Sequence, residues 1–282
     1  MIITPSFRSF YRAVVMAAAG GLLVVTAQAQ SLISHYTLDG VLTDSGSVNA
    51  LGTLNNSAVF TTNGSGVGIF NEALSTGDGV NRYFSAPTAN NAAFGVSAIT
   101  IALWVKVDSA ATTQIERFVS NVATSSGFDF AISSYSVGAG AGGADLFDIS
   151  FGFNSVSDRV ISADAQYVSD KWLFLAVTYD GTNARFYSGS ETTGVFLNDT
   201  VAKTGSIVAS ASALEIGGTP ASTGDRSPVA LFNDVRIYDG ALTGLQLEAI
   251  RASVIPEPAQ YAMIFGMLSL GVIAMRRHRR GC

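Results

Sequence analysis

Residues Ile99-Thr100-Ile101-Ala102-Leu103-Trp104-Val105-Lys106-Val107 carry an aliphatic side chain at every second position. Successive side chains of a strand point to opposite faces, so Ile99, Ile101, Leu103, Val105 and Val107 share one face and predict a core strand. Trp172 to Tyr179 is apolar at both parities, which predicts a strand covered on both sides. Asp180-Gly181-Thr182-Asn183 then predicts a turn into Ala184 to Tyr187, the clearest hairpin of the chain. Leu146 to Phe153, Leu231 to Tyr238 and part of Ala209 to Gly218 read as further strands between Gly-, Ser- and Asn-rich loops. One helix is expected late in the chain. Thr243 caps it, and Gln246 at the third helical position completes a reciprocal capping box ahead of Leu247 and Ile250. Many short strands and one late helix predict an all-β fold of two packed antiparallel sheets.

The two ends differ from this middle. Residues 1–29 carry Arg8 and Arg12, an apolar run from Ala13 to Val25 and the small residues Ala27 and Ala29, the pattern of a cleavable secretory signal peptide. At the other end, Pro256-Glu257-Pro258 precedes an apolar stretch from Ala259 to Met275 and the arginines at 276, 277, 279 and 280. That stretch predicts a single C-terminal transmembrane helix of roughly 26 Å, near the lower limit for a bilayer core, with the arginines on the cytoplasmic side. The segments are therefore 1–29, a domain over 30–253, and a tail over 254–282.

The chain has 282 residues, with 16 Lys and Arg against 21 Asp and Glu. Between Gln30 and Ile255 the balance is 10 bases to 20 acids, which argues against nucleic acid as a partner. The single cysteine, Cys282, lies in the tail, so the domain has no disulfide, no cysteine nucleophile and no cysteine zinc site, and its stability rests on a packed core.

The tail resembles the PEP-CTERM sorting signal of bacterial exported proteins, with the Pro-Glu-Pro motif, the hydrophobic helix and the arginine cluster in order. The resemblance implies processing by an exosortase-type protease, transient anchoring in the membrane through the C-terminal helix, and delivery to the cell surface or extracellular matrix of a Gram-negative bacterium. The middle resembles the laminin-G-like, concanavalin A-like jelly rolls. The resemblance is carried by His35-Tyr36-Thr37-Leu38-Asp39-Gly40 with Asp44-Ser45-Gly46, by Asn71-Glu72-Ala73-Leu74 with Gly77-Asp78-Gly79, by Ile99 to Asp108, by Lys171 to Tyr187, and by Leu214 to Gly218 with Phe232 to Leu242. Two positions depart from the family pattern: Asn233 stands where the first acid of a pair is usual, and Phe174-Leu175 where two histidines are usual.

This second resemblance implies a lectin-like jelly roll that binds an extracellular polysaccharide without catalysis, and one structural calcium ion held by Asp234, Asp39 and Asp78. The alternative, in which Asp39 and Asp78 cap turns and Asp234 is a solvated strand residue, stays open. A hydrolase of the same sandwich fold is the competing function, and a purely structural surface protein a third. Glycosidases of this class present several acids on one strand face, whereas Asp145 and Asp148 are spaced to opposite faces and no Glu lies near them. His35 is the only histidine before the tail and reads as a hydrogen-bonded strand residue. Gly138 to Gly143 reads as a loop, since the strand that follows it lacks the helix a phosphate site needs. Tyr83, Tyr135, Tyr167 and Trp172 are the rings available to stack on sugars, although strand aromatics are more often core.

Overall fold

The structure, a computed structural model, describes residues 30–62, 69–77, 81–87, 93–107, 116–124, 127–135, 146–154, 159–166, 171–209, 212–220 and 226–255. In chain order the strands are β1 (Leu32–Tyr36), β2 (Thr53–Asn55), β3 (Val59–Thr62), β4 (Glu72–Ser75), β5 (Tyr83–Ala86), β6 (Ile99–Val107), β7 (Glu116–Thr124), β8 (Gly127–Tyr135), β9 (Leu146–Phe153), β10 (Arg159–Gln166), β11 (Leu173–Tyr179), β12 (Asn183–Ser190), β13 (Phe196–Ala202), β14 (Leu214–Ile216) and β15 (Ala230–Tyr238). A helix, α1 (Gly244–Ser253), follows.

The strands form two antiparallel sheets. One has eight strands in the order β13-β12-β11-β6-β15-β4-β3, with β1 also paired to β15. The other has seven, in the order β10-β9-β8-β7-β14-β5-β2. β1 and β4 share one edge of β15, since β4 meets Leu231 and Phe232 while β1 meets Val235 to Tyr238.

The alternation in β6 works as the sequence predicts. Ile99, Ile101, Leu103, Val105 and Val107 enter the core between the sheets, together with Leu175, Val177 and Tyr179 of β11. The opposite parity is buried too. Ala102, Trp104, Phe174 and Ala176 form a second apolar layer with Trp172, Leu242, Leu247 and Ile250, so α1 lies over the outer face of the eight-stranded sheet. Burial on both sides explains why β6 and β11 have few polar positions.

The hairpin between β11 and β12 turns where expected. Gly181 adopts φ +91°, and Asp180 Oδ1 accepts from the Thr182 and Asn183 amides at 2.9 and 2.8 Å. The α1 cap also forms as read. Thr243 N donates to Gln246 Oε1 at 2.8 Å, and Gln246 N donates to Thr243 Oγ1 at 3.3 Å.

The expectation of a transmembrane helix flanking the sandwich is corrected. Among the described residues no helix is long and apolar enough to cross a membrane. α1 has ten residues, a length of about 15 Å or half a bilayer core, and it bears Glu248 and Arg251. Attachment to a membrane through a C-terminal helix, and a membrane-anchored stage before release, therefore have no helix in the described fold to rest on. The stretch 259–275, the motif Pro256-Glu257-Pro258 and the leader 1–29 lie outside the described residues.

Candidate functional site

The two outer faces of the sandwich differ in chemistry. The eight-stranded sheet is sealed by α1 and its apolar layer. In the seven-stranded sheet Phe84, Leu214, Ile216, Val119, Ile132, Ile149 and Phe151 point into the core, so their neighbours in sequence point outward. Apart from Tyr83 and from Phe118, which enters the core beside Val119 at the β7 register shift, those neighbours are small or polar. Register places Ser85, Glu215, Ser120, Ala131, Gly152 and Arg159 in one row across β5, β14, β7, β8, β9 and β10. Arg117, Ser133 and Ser150 lie in a second row across β7, β8 and β9.

This face is polar yet shielded from solvent. Glu215 is 2% exposed, Arg117 7%, Ser133 1% and Ser150 3%. Burial raises the Glu215 carboxyl to about 8, against the opposing effects of the Arg117 charge and the Ser120 hydroxyl. At neutral pH Glu215 is therefore mostly the protonated acid, able to donate a hydrogen bond as well as accept one. Burial lowers Arg117 to about 10, and the charges of Arg226 and Arg159 add to the shift while Glu215 opposes it. Glu215 Oε2 and Ser133 Oγ are buried with no hydrogen-bond partner in the protein. Orphaned polar atoms also occur elsewhere in the fold, at Trp104 Nε1 and Trp172 Nε1 in the layer beneath α1 and at Asp234 Oδ2.

The sequence pattern contains Glu215, flanked by Leu214 and Ile216, but does not single it out. Alternation fixes which way it points, whereas its burial depends on β5 and β7, which arrive from more than a hundred and about ninety residues away respectively. Arg117 is harder to place, because β7 shifts register between Arg117 and Val119.

Of the three expected calcium ligands, the structure describes Asp39 and Asp234. Asp39 is exposed, and its Oδ1 accepts from the Glu72 amide at 2.8 Å. Asp234 is buried, and its Oδ1 is taken by His35 Nε2 at 2.8 Å and by Arg236 Nε at 3.0 Å. The Arg236 guanidinium on Oδ1 competes with a dication there, while Asp234 Oδ2 is buried with no hydrogen-bond partner. Asp78 lies outside the described residues. Among the described residues no three of His, Cys, Asp and Glu gather to hold a metal ion.

His35 instead joins a hydrogen-bonded chain. Its Nδ1 lies 2.9 Å from Ser45 Oγ, and its Nε2 reaches Asp234. With the proton on Nε2 the ring donates to Asp234 and accepts from Ser45. Serine, histidine and aspartate in series resemble a nucleophile relay, but the nearby amides are committed. Ser45 N donates to His35 O, Gly46 N to Asp44 Oδ1 and Ser47 N to Leu32 O, which leaves these three unable to hold an oxyanion. The chain's evident role is to fasten β1 to β15.

Of the aromatic candidates, Trp172 is core and Tyr83 is half-buried at the start of β5. The Tyr135 side chain and Tyr167 lie outside what is described, as do Asp145 and the Asp148 side chain.

Comparison with known structures finds the same fold. The chain is similar to domain 4 of AbnA, a GH43 extracellular arabinanase from Geobacillus stearothermophilus seen in complex with arabinotriose, at 18% identity and a TM-score of 0.57, covering 78% of this chain and 98% of that one. It is also similar to the binding domain of botulinum neurotoxin serotype G, at 14% identity and TM-score 0.55, covering 77% of this chain and 50% of that one. The binding domain of Paraclostridial Mosquitocidal Protein 1 aligns at 13% identity and TM-score 0.55, covering 78% of this chain and 51% of that one. The chain thus spans about half the length of these toxin domains. No curated protein matches the sequence. Residues 78–248 match the Laminin_G_3 family, described as the concanavalin A-like lectin/glucanases superfamily. With more than half of its length matched and the two-sheet sandwich in place, the chain belongs to the concanavalin A-like lectin/glucanases superfamily.

Proposed function

We propose that the protein is a non-catalytic, glycan-binding module that engages extracellular polysaccharide through the outer face of the seven-stranded sheet. The contrast between the two outer faces carries this reading: one bears an apolar layer under α1, while the other is built of hydroxyls, a carboxyl and arginines. Sugars are bound by such convergent polar groups on a shaped surface. The arabinotriose complex of the similar arabinanase domain agrees with a sugar-binding use of the fold.

The competing reading is a hydrolase, favoured by the protonated Glu215 as a proton donor. Glycoside hydrolysis needs a second carboxylate facing the same bond, and the cross-strand neighbours of Glu215 are Ser85 and Ser120. Incubating the full chain with a polysaccharide panel separates the two. Retention without release of reducing ends supports binding, whereas turnover abolished by Glu215→Gln or Asp148→Asn establishes hydrolysis.

Delivery outside the cell, read from the leader and from Pro256-Glu257-Pro258, is part of the same proposal as a processing signal. Replacing the three residues with alanine is expected to leave an unprocessed chain, and unchanged processing removes that part.

A further inference from the structure

We infer that Gln30 is a modification site: once residues 1–29 are removed, its freed α-amine closes onto its own side chain as an N-terminal pyroglutamate, seated against the first turn of α1. The inference rests on the reading of residues 1–29 as a cleaved leader and adds what becomes of the new chain start.

The chemistry is contained in one residue. The small residues Ala27 and Ala29 place the cleavage between Ala29 and Gln30. Gln30 then carries an amine and a carboxamide at the spacing of a five-membered ring. The α-nitrogen attacks Cδ, the N–Cδ bond forms and the Cδ–Nε2 bond breaks. The side-chain nitrogen takes a proton from the attacking amine and leaves as ammonia. Nothing is oxidised or reduced, so no cofactor enters.

The fold holds the residue ready for this product. Ser31 is fixed first, its amide donating to Asp239 Oδ1 at 2.6 Å and its carbonyl accepting from the Asp239 amide at 3.1 Å. The Gln30 side chain then lies over Gly240, where any Cβ would collide with Gln30 Cγ. The atoms that become the lactam ring thus rest against bare backbone. The two ends of the carboxamide are held unequally. Oε1, which the lactam keeps, accepts from Gln246 Nε2 at 3.1 Å, whereas Nε2, which departs, reaches Ala241 O only at 3.5 Å, the outer limit of a hydrogen bond. Closure gives up the weaker contact and keeps the better acceptor.

Charge favours the same product. An open start places an α-ammonium, the prevailing form at neutral pH, beside the first turn of α1, where the helix dipole is positive. No acid stands in that turn, and Asp239 Oδ1 already accepts from Ser31. The lactam nitrogen is uncharged, so closure removes the repulsion. It also removes the free amine that aminopeptidases need, which protects the start of β1 from trimming.

The test uses the full chain, expressed with its leader in a secreting Gram-negative host and collected outside the cytoplasm. Edman sequencing of the intact protein is expected to give no signal, and pyroglutamyl aminopeptidase is expected to restore it, with Ser31 read first. The intact mass is expected to lie one ammonia below that of the open chain from Gln30. Gln30→Ala is expected to lift the block and to expose the chain to an aminopeptidase that leaves the native protein whole. A free Gln30 in the native protein overturns the inference and leaves leader removal standing. A native start at any other residue overturns the leader reading and the inference with it. A block that persists in Gln30→Ala assigns it to another group and also overturns the inference.

Discussion

His35 Nε2 lies 2.8 Å from Asp234 Oδ1, joining the first strand to the last across 199 residues of sequence. Asp234 sits at a bulge in β15, with φ +48° and a register shift between Asn233 and Arg236 against β6. Its amide donates to Thr37 O at 3.0 Å, and Arg236 shares its carboxylate. Removing the carboxylate leaves a half-buried guanidinium and imidazole without their acceptor. Asp234→Ala is therefore expected to destabilise the fold by about 3 kcal/mol and His35→Ala by about 1 kcal/mol in urea titrations. A calcium chelator is expected to leave the melting temperature of the native chain unchanged, and a drop on chelation would return Asp234 to the role of metal ligand.

Both tryptophans of the chain, Trp104 and Trp172, lie in the layer between α1 and the eight-stranded sheet. Leu247 is fully buried against them. Leu247→Ala is expected to cost about 3 kcal/mol, with a red shift of tryptophan emission that precedes loss of sheet signal. Simultaneous loss of both signals would show that helix and sandwich unfold as one unit.

Glu215 makes stability fall as pH rises. Its folded-state value is raised to about 8, so between the ordinary carboxylate value and about 8 the unfolded chain binds fewer protons than the folded one. The contribution is fully present below about pH 4 and is lost as pH climbs through 8. Glu215→Gln is expected to flatten this descent and to raise the melting temperature at pH 8.5 by several degrees, read by differential scanning calorimetry. A parallel decline in the variant would place the effect elsewhere.

Glu248 acts in the opposite direction. The hydrogen bond from Arg251 holds its carboxyl down to about 2 despite partial desolvation, and Val195 N adds a second hydrogen bond at 2.7 Å. Arg251 also donates to Ser190 O, so the pair ties α1 to the β12–β13 hairpin. This stabilisation is present above about pH 4 and is lost as pH falls towards 2. Because Glu248 is 38% exposed, screening limits it to about 1 kcal/mol or less. Glu248→Gln is expected to reduce the acid sensitivity between pH 4 and 2 in equilibrium unfolding, and an unchanged acid limb would remove the pair from the account.

The core strands were legible because their signal is local. Ile99 to Val107 states its alternation in one line, and Asp180-Gly181 and Thr243-x-x-Gln246 each spell out a turn and a cap. The candidate site was not legible, because it is made by register. Glu215 meets Ser85 and Ser120 only through the order β5-β14-β7, and Arg117 reaches its row past a bulge. The surroundings of Asp234 were hidden for the same reason: its neighbours His35 and Arg236 are fixed by the pairing of β1 with a bulged β15, which spacing along the chain does not reveal.

The central claim is that ligand meets the outer face of the seven-stranded sheet and not the helix-covered side. A pair of bulky substitutions tests it most directly: Ser85→Trp beside Glu215, and Leu245→Trp on α1, where Leu245 is 86% exposed. In polysaccharide retention assays the account predicts that Ser85→Trp abolishes binding while Leu245→Trp leaves it intact. Retention in the first variant, with loss in the second, would contradict it.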